Sequence, residues 1–326
     1  MEILVTGGGG FVGRHLARRL IEGGHTVTAF DKADAWPQGA AGGASPPVRR
    51  ITGDLLDAAA VRSAIEAFSP RVVVHAAALV GPTLSLEEPL LTARLNLDGT
   101  IHVLEACLAA GVGRLIFVST EEVYGQFRHD PVPEDDPMSP LNPYAITKAA
   151  AEWYVDFYHR HHRLDGYVAR TSWVYGPGFP RLRLETKIIA DALEGRESLF
   201  RSGAEHLVDY TYVDDLVDGF RLLIEHPRPG HRVYNIASGL SQPIREVAAI
   251  LQRLLPAARV TLGPGLLETG PGLPMPQKGG LDISRARQDL GYAPQVSLET
   301  GLSRCVEAAR AGRSHHPLSP SRPGPT

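Results

Sequence analysis

Cysteine is nearly absent from this chain: Cys107 and Cys305 are the only two in 326 residues. Each sits in an apolar helical pattern, Leu104-Glu-Ala-Cys-Leu and Leu302-Ser-Arg-Cys-Val. Two buried thiols in a reducing compartment are therefore expected, not a disulfide framework or a catalytic thiol. An excess of one charge is missing too. The 33 basic and 36 acidic residues give a net charge of −3, and their signs alternate along the chain. Nucleic acid is not an expected partner, because no basic stripe is present to meet phosphates. No apolar run approaches the ~20 residues that span a bilayer. The opening Met1-Glu-Ile-Leu-Val-Thr reads as a strand, with no charged-then-apolar leader, so the cytoplasm is the expected place. Metal ligation is also unsupported. His159, His161 and His162 lie near a helix end, where the dipole favours cations, and no acid or cysteine stands at ligand spacing.

What is present is a rhythm. Short apolar, β-branched runs at Ile3–Thr6, Thr26–Phe30, Val48–Thr52, Val72–Ala76, Leu115–Ser119 and Tyr167–Thr171 alternate with helical patterns. Those patterns cover Gly13–Glu22, Asp57–Phe68, Leu90–Ala110 and Pro143–His161, each apolar at spacings of three and four. Strands hydrophobic throughout are covered on both faces, which predicts an α/β, Rossmann-type doubly wound parallel sheet. The rhythm breaks after Tyr175-Gly-Pro-Gly. Residues 1–175 are expected to form the dinucleotide-binding domain, and 176–311 a smaller interleaved substrate lobe. Helices are expected there at Leu184–Glu194, Val213–Glu225 and Ile244–Leu255, with Arg232–Ile236 returning to the main sheet. Two stretches, Ala35–Pro47 and Gly312–Thr326, are too poor in apolar residues to order themselves.

The first turn, Thr6-Gly-Gly-Gly-Gly-Phe-Val-Gly13, follows a strand and opens a helix. Gly7 permits the tight turn, Gly10 lets the backbone approach a pyrophosphate, and Gly13 lets the helix pack on the strand. The pyrophosphate of a dinucleotide would lie on the free amides of the helix start, at Phe11 and Val12. Asp31 ends the second strand, where a carboxylate accepts hydrogen bonds from ribose hydroxyls and repels a 2′-phosphate, favouring NAD over NADP. Lys32 beside it weakens that preference. Asp54 either bonds the adenine amino group, with Leu55 next to it, or caps the following helix. Ala76, Ala77 and Ala78 after His75 leave room for a cofactor close to the backbone.

Tyr144 and Lys148 are four apart on one helix face. An ammonium beside a phenol favours the phenolate, so the tyrosine is expected to exchange a proton nearer neutrality than its usual value of about 10. A proton must leave oxygen as hydride leaves carbon, and a positioned phenolate can take it.

With these residues assembled, the chain resembles the extended short-chain dehydrogenases/reductases, specifically the NAD-dependent nucleotide-sugar epimerase/dehydratase family. The resemblance runs through Asn96 with Gly99-Thr100, Val118-Ser-Thr-Glu-Glu-Val-Tyr-Gly125, Val174-Tyr-Gly-Pro177, Asp209-Tyr-Thr-Tyr-Val-Asp-Asp215, Tyr234-Asn-Ile-Ala, Asp282-Ile-Ser-Arg-Ala-Arg and Leu290-Gly-Tyr. It implies Tyr144 as acid/base, Lys148 on the nicotinamide ribose, Thr120 on the reacting oxygen, Asn96 supporting the cofactor site and Ser119 binding the cofactor. It also implies a homodimer built on helices 90–110 and 143–161.

Thr120, Glu121 and Glu122 fill places that the dehydratase and decarboxylase branches use. Two neighbouring carboxyls tend to share a proton. The competing reading turns Glu121 away, as alternation along an extended segment would. Two residues depart from the family pattern: Trp173 stands where an Asn is usual and Val208 where an Arg grips the diphosphate. Either other residues replace these contacts, with Arg181 and Arg183 as candidates through a bidentate fork and Arg201 and Lys187 as weaker ones, or the substrate lacks the diphosphate. The expected activity is transient oxidation of a sugar hydroxyl followed by epimerisation, dehydration or decarboxylation. The alternatives are a net dehydrogenase of a small sugar, sugar acid or polyol that releases NADH, and a cofactor-sensing protein without catalysis.

Overall fold

The computed structural model describes residues 1–35, 48–270 and 273–312. The two stretches expected to lack order fall, beyond their first residues, outside the described residues.

Among the described residues, seven parallel strands form one sheet, and its order follows from the chain reversing direction once. From β1 (Glu2–Thr6) the chain moves outward through β2 (Thr26–Asp31) and β3 (Arg49–Thr52). It then returns to the other side of β1 with β4 (Val72–His75), β5 (Arg114–Thr120) and β6 (Gly166–Thr171). The strand Val233–Asn235 pairs with β6 in parallel, so the late return to the sheet is found where it was expected.

Successive side chains of a strand point to opposite faces, and both faces are covered. Ile3, Val5, Val72, Val74 and Ile116 pack on one side with helices α1 (Phe11–Glu22) and Val213–Glu225. Leu4, Val73, Leu115 and Phe117 pack on the other with α2 (Ala58–Phe68) and the helices Gly99–Ala109 and Pro143–His162. Asp57 caps α2, accepting from the amides of Ala59 and Ala60 at 3.0 Å. The capping role considered for Asp54 therefore belongs to Asp57.

A third core joins Tyr175, Leu184, Ile188, Val208, Tyr210, Ile244, Val247, Leu251 and Leu302. The acids of the Asp209…Asp215 motif staple it together. Asp209, wholly buried, accepts from the amides of Ser238, Gly239 and Leu281, and Asp215 from those of Gln295 and Val296.

The helix expected over Leu90–Ala110 is found as a continuous run from Pro89 to Ala109, with an irregularity inside it. Helices Pro82–Glu87 and Pro89–Ala93 each start on a proline, and a π-turn at Arg94–Asp98 precedes Gly99–Ala109. An extra residue in a helical turn re-aims the side chains around it, a device common near functional sites. Here it turns Asn96 inward.

Candidate functional site

Every element of the site hangs from the C-terminal ends of the strands, beside the reversal between β1 and β4 where doubly wound sheets bind ligands. The turn after β1 must be glycine. Gly7 has φ +72°, and a Cβ there would lie 2.7 Å from the Ala77 amide nitrogen. Helix α1 then starts at Gly10 with no side-chain cap and no acid in its first turn. Its first amides have no partner within the helix, which is what a pyrophosphate requires. Phe11 lies buried against Phe179, ring centres 5.2 Å apart.

Asp31 closes the turn, one oxygen accepting from Gly9 N at 2.9 Å and the other from Lys32 N at 2.8 Å. Lys32 Nζ turns to Asp54, 3.2 Å away. The Leu56 amide first, and then Lys32, hold the Asp54 carboxyl below its ordinary range. Leu55 packs in the core beneath, against Gly99. His75 is clamped between Thr6 at 2.7 Å and Thr100 at 3.1 Å, and burial pushes it down to about 3, so it stays neutral. Ala77 N donates to Thr6 Oγ1 at 3.3 Å, keeping Ala76–Ala78 flat on the strand ends. These residues fit NAD: an uncapped helix start, a carboxylate at the end of β2 and no bulky side chain between them.

The Ser119 side chain, expected at the cofactor, is engaged elsewhere. Ser119 is buried and gives its hydroxyl to Glu152, which also pairs with Arg170 at 2.7 Å. Its side chain belongs to the core network beneath the sheet end.

Asn96 ties the site together. Its Oδ1 accepts from Leu79 N at 2.8 Å, and its Nδ2 donates to Leu79 O at 3.0 Å and to Thr147 Oγ1 at 3.2 Å. Thr147 in turn donates to Tyr144 O at 2.8 Å. The π-turn thus fixes both the loop after β4 and the helix that carries Tyr144 and Lys148. Asn142 caps that helix through Ala145 N at 2.9 Å and gives its amide to Glu122 Oε2 at 3.1 Å.

Tyr144 and Lys148 are both buried on one helix face, but the expected depression of the phenol is not found. Burial pushes Tyr144 up to about 12, against a hydrogen bond with Thr120. Burial also pushes Lys148 down to about 7, with its Nζ over the Phe117 ring at 3.9 Å. Desolvation outweighs proximity because neither charge has a close counter-ion.

The carboxyl pair is gathered. A 3₁₀ turn at Glu121–Tyr124 starts directly after Thr120, so the alternation that would turn Glu121 away does not continue. Both acids are buried and both act electrostatically on Tyr144. Burial, the largest cause, and the neighbouring Glu122 push Glu121 up to about 8, although Lys278 and a hydrogen bond from Ser172 oppose this.

Three neighbours were missed. Lys278 is fully buried, 3.4 Å from Glu122 Oε1. It lies in a Gly/Pro-rich stretch without periodicity, where nothing marks a buried cation. His206 is buried with neither ring nitrogen partnered, and burial pushes it down to about 4. Ser172 follows β6 without any motif.

The substrate side is less open than expected. Trp173 faces Tyr210 and His206, ring centres 5.9 and 6.4 Å away. Val208 is buried in the lobe core. Arg183 cannot offer a free bidentate fork: it donates to Val174 O, lies 3.4 Å from Glu185 and stacks on Phe179 at 3.7 Å. Arg181 reaches across the cleft to Val80 O at 3.0 Å and is felt at Tyr144. Lys187 pairs with Asp191 at 2.6 Å, and Arg201 is exposed. Among the described residues no group of three or more candidate metal ligands gathers, and no helix is long and apolar enough to cross a membrane.

Comparison with known proteins agrees with this geometry. The model of the NAD dependent epimerase/dehydratase family matches residues 3–237. A dTDP-glucose 4,6-dehydratase of Streptomyces antibioticus is 32% identical, over 100% of this chain and 97% of that protein. A UDP-glucose 4-epimerase of Mycolicibacterium smegmatis is 31% identical, over 95% and 99%. The crystal structure of a Streptomyces venezuelae dTDP-glucose 4,6-dehydratase with NAD bound superposes with a TM-score of 0.84 at 30% identity, covering 96% of this chain and 98% of that one.

Proposed function

This chain belongs to the NAD dependent epimerase/dehydratase family, and from that premise we propose that it dehydrates a nucleotide-activated sugar. The enzyme is NAD-dependent and of the short-chain dehydrogenase/reductase type. The observation that carries the proposal is the carboxyl pair. Glu121 holds its proton up to about pH 8, while Glu122 faces the ammonium of Lys278 and the amide of Asn142. One acid and one base side by side are what elimination of water requires. A 4-epimerisation needs neither.

In this reading residues 1–175 with the strand at 233–235 hold the cofactor, and 176–311 hold the substrate. Gly7, Gly10, Phe11, Val12 and Gly13 receive the pyrophosphate. Asp31 receives the adenosine ribose, and Asp54, Leu55 and Ala76–Ala78 line the rest. NAD held by these residues would supply the hydride acceptor and donor for the sugar carbons and a positive charge beside Tyr144 and Lys148. Tyr144, bonded to Thr120, takes the hydroxyl proton. The resulting ketone acidifies its neighbouring carbon, whose proton passes to Glu122. The bond to the next carbon's hydroxyl breaks as Glu121 gives that oxygen its proton, and water leaves. The hydride returns to the carbon that lost its hydroxyl while Glu122 gives a proton back to the neighbouring carbon, so the proton left on Tyr144 balances the one Glu121 has lost. Trp173 and Arg181 are assigned to the sugar and its phosphates.

A homodimer is part of the proposal, since Ile146, Trp153 and Phe157 are exposed on one face of the Pro143–His162 helix. Two free thiols fit work in a reducing cytoplasm. Purified enzyme with dTDP-glucose or UDP-glucose tests the activity by mass spectrometry and absorbance. A product lighter by one water, with no lasting NADH, supports it. Stoichiometric NADH release would favour the simple dehydrogenase, and an unchanged mass would favour an epimerase.

A further inference from the structure

Residues 277–282 are sewn to the loop after Gly125 by backbone hydrogen bonds. Phe127 N donates to Gln277 O at 3.0 Å, Val132 N to Gly280 O at 2.9 Å and Asp282 N to Val132 O at 2.8 Å. Asp130 adds a bond from Gly280 N at 2.7 Å. This seam delivers Lys278 into the floor of the site with its side chain wholly enclosed. Its Nζ donates to Gly125 O at 3.1 Å and lies 3.4 Å from Glu122 Oε1. Gly125 presents that carbonyl from φ +67°, and a Cβ there would lie 2.0 Å from Ser139 O. A buried lysine is costly unless its charge is used.

We propose that Lys278 is a positioning residue that divides labour within the carboxyl pair, holding Glu122 as the negatively charged base at 3.4 Å and setting the pH at which the neighbouring Glu121 gives up its proton. The inference rests on the dehydration reading given above. The titratable and charged groups facing the pair are Tyr144, Lys278, His206, Asp209 and Arg181. Lys278 is the cation that touches it. His206 is kept neutral by burial, and Asp209 is committed to backbone amides. Arg181 acts on Tyr144 instead. Without Lys278 the proton spreads over both acids, and the step that needs a free base slows while the oxidation before it does not.

The test compares the wild-type enzyme with Lys278→Met, Lys278→Arg, Glu122→Gln and the double variant Glu122→Gln/Lys278→Met, using dTDP-glucose and UDP-glucose as probes. Lys278→Met is expected to lower kcat about ten-fold or more and to accumulate enzyme-bound NADH. Its alkaline limb should move to higher pH, because Lys278 draws Glu121 down. Lys278→Arg should restore most of the rate. In the Glu122→Gln background, removing Lys278 should cost little more. Unchanged pH limbs without NADH accumulation, or fully additive losses, would overturn the inference. If Lys278→Met does not fold, Lys278→Gln takes its place: an alkaline limb that stays where the wild type has it contradicts the proposal. Wild-type enzyme that removes no water from either probe counts against the dehydration reading instead.

Discussion

At the scale of single residues, solvent exclusion governs the chemistry more than sequence spacing does. Tyr144 and Lys148 were legible from the sequence as a pair, but their titration was not, because burial depends on what packs above them. Lys148→Met removes a buried ammonium whose folded value of about 7 lies below its ordinary 10.5. Between those values the unfolded chain binds the proton and the folded chain does not, so lysine-dependent stability falls as pH falls through that window. Cofactor-free Lys148→Met should therefore melt higher than wild type below about pH 7, with the gain fading toward pH 10, while activity is lost. Thermal melts across pH check the sign. Tyr144→Phe should lower kcat about 10²- to 10⁴-fold and leave NAD binding intact by calorimetry. Glu121 must be protonated to act as the acid, so kcat should fall as pH rises through about 8, and Glu121→Gln should abolish water loss at every pH.

At the scale of elements, the strands and most helices were readable because alternating apolar runs and three-four spacing are local signals. The strand at Val233–Asn235 was also legible, within the short run Arg232–Ile236. The π-turn at Arg94–Asp98 was not, since nothing in Arg-Leu-Asn-Leu-Asp announces an extra residue in the turn. Its consequence is testable through Asn96→Ala. That change leaves the Leu79 amide and carbonyl without their partner and should cost about 1–3 kcal/mol in denaturant unfolding, with a drop in kcat from the loosened Tyr144 helix. Capping gives a sharper contrast. Asp57→Ala should destabilise by about 1 kcal/mol, and Asp54→Ala should leave α2 intact. Asn142→Asp keeps the cap but sets a like charge beside Glu122, so turnover should fall with little change in melting temperature.

At the scale of the whole molecule, the site is completed by chain segments far apart in sequence. The proposed cofactor cradle comes from the first third, where a Gly-rich turn, a strand-ending Asp31 and small residues after His75 are each local signals. The floor beneath Glu122 comes from residue 278, and the walls from 173, 181 and 206. Such long-range convergence leaves no local mark, which is why Lys278 and His206 escaped the sequence. The exposed apolar face of the Pro143–His162 helix makes a prediction at the same scale. Trp153 is 62% exposed, Ile146 52% and Phe157 45%, at spacings that align them on one side. Sedimentation should find a dimer for wild type and a monomer for Trp153→Arg.

The account stands most directly on removal of a carbon-bound proton by Glu122, and turnover in heavy water reads that step. With dTDP-glucose or UDP-glucose, the product should lack one water and carry a single solvent deuterium on carbon, and Glu122→Gln should form it at only a small residual rate. A product of unchanged mass with no deuterium on carbon would mean that the carboxyl pair takes no part in the chemistry, and the dehydration mechanism would fall with it.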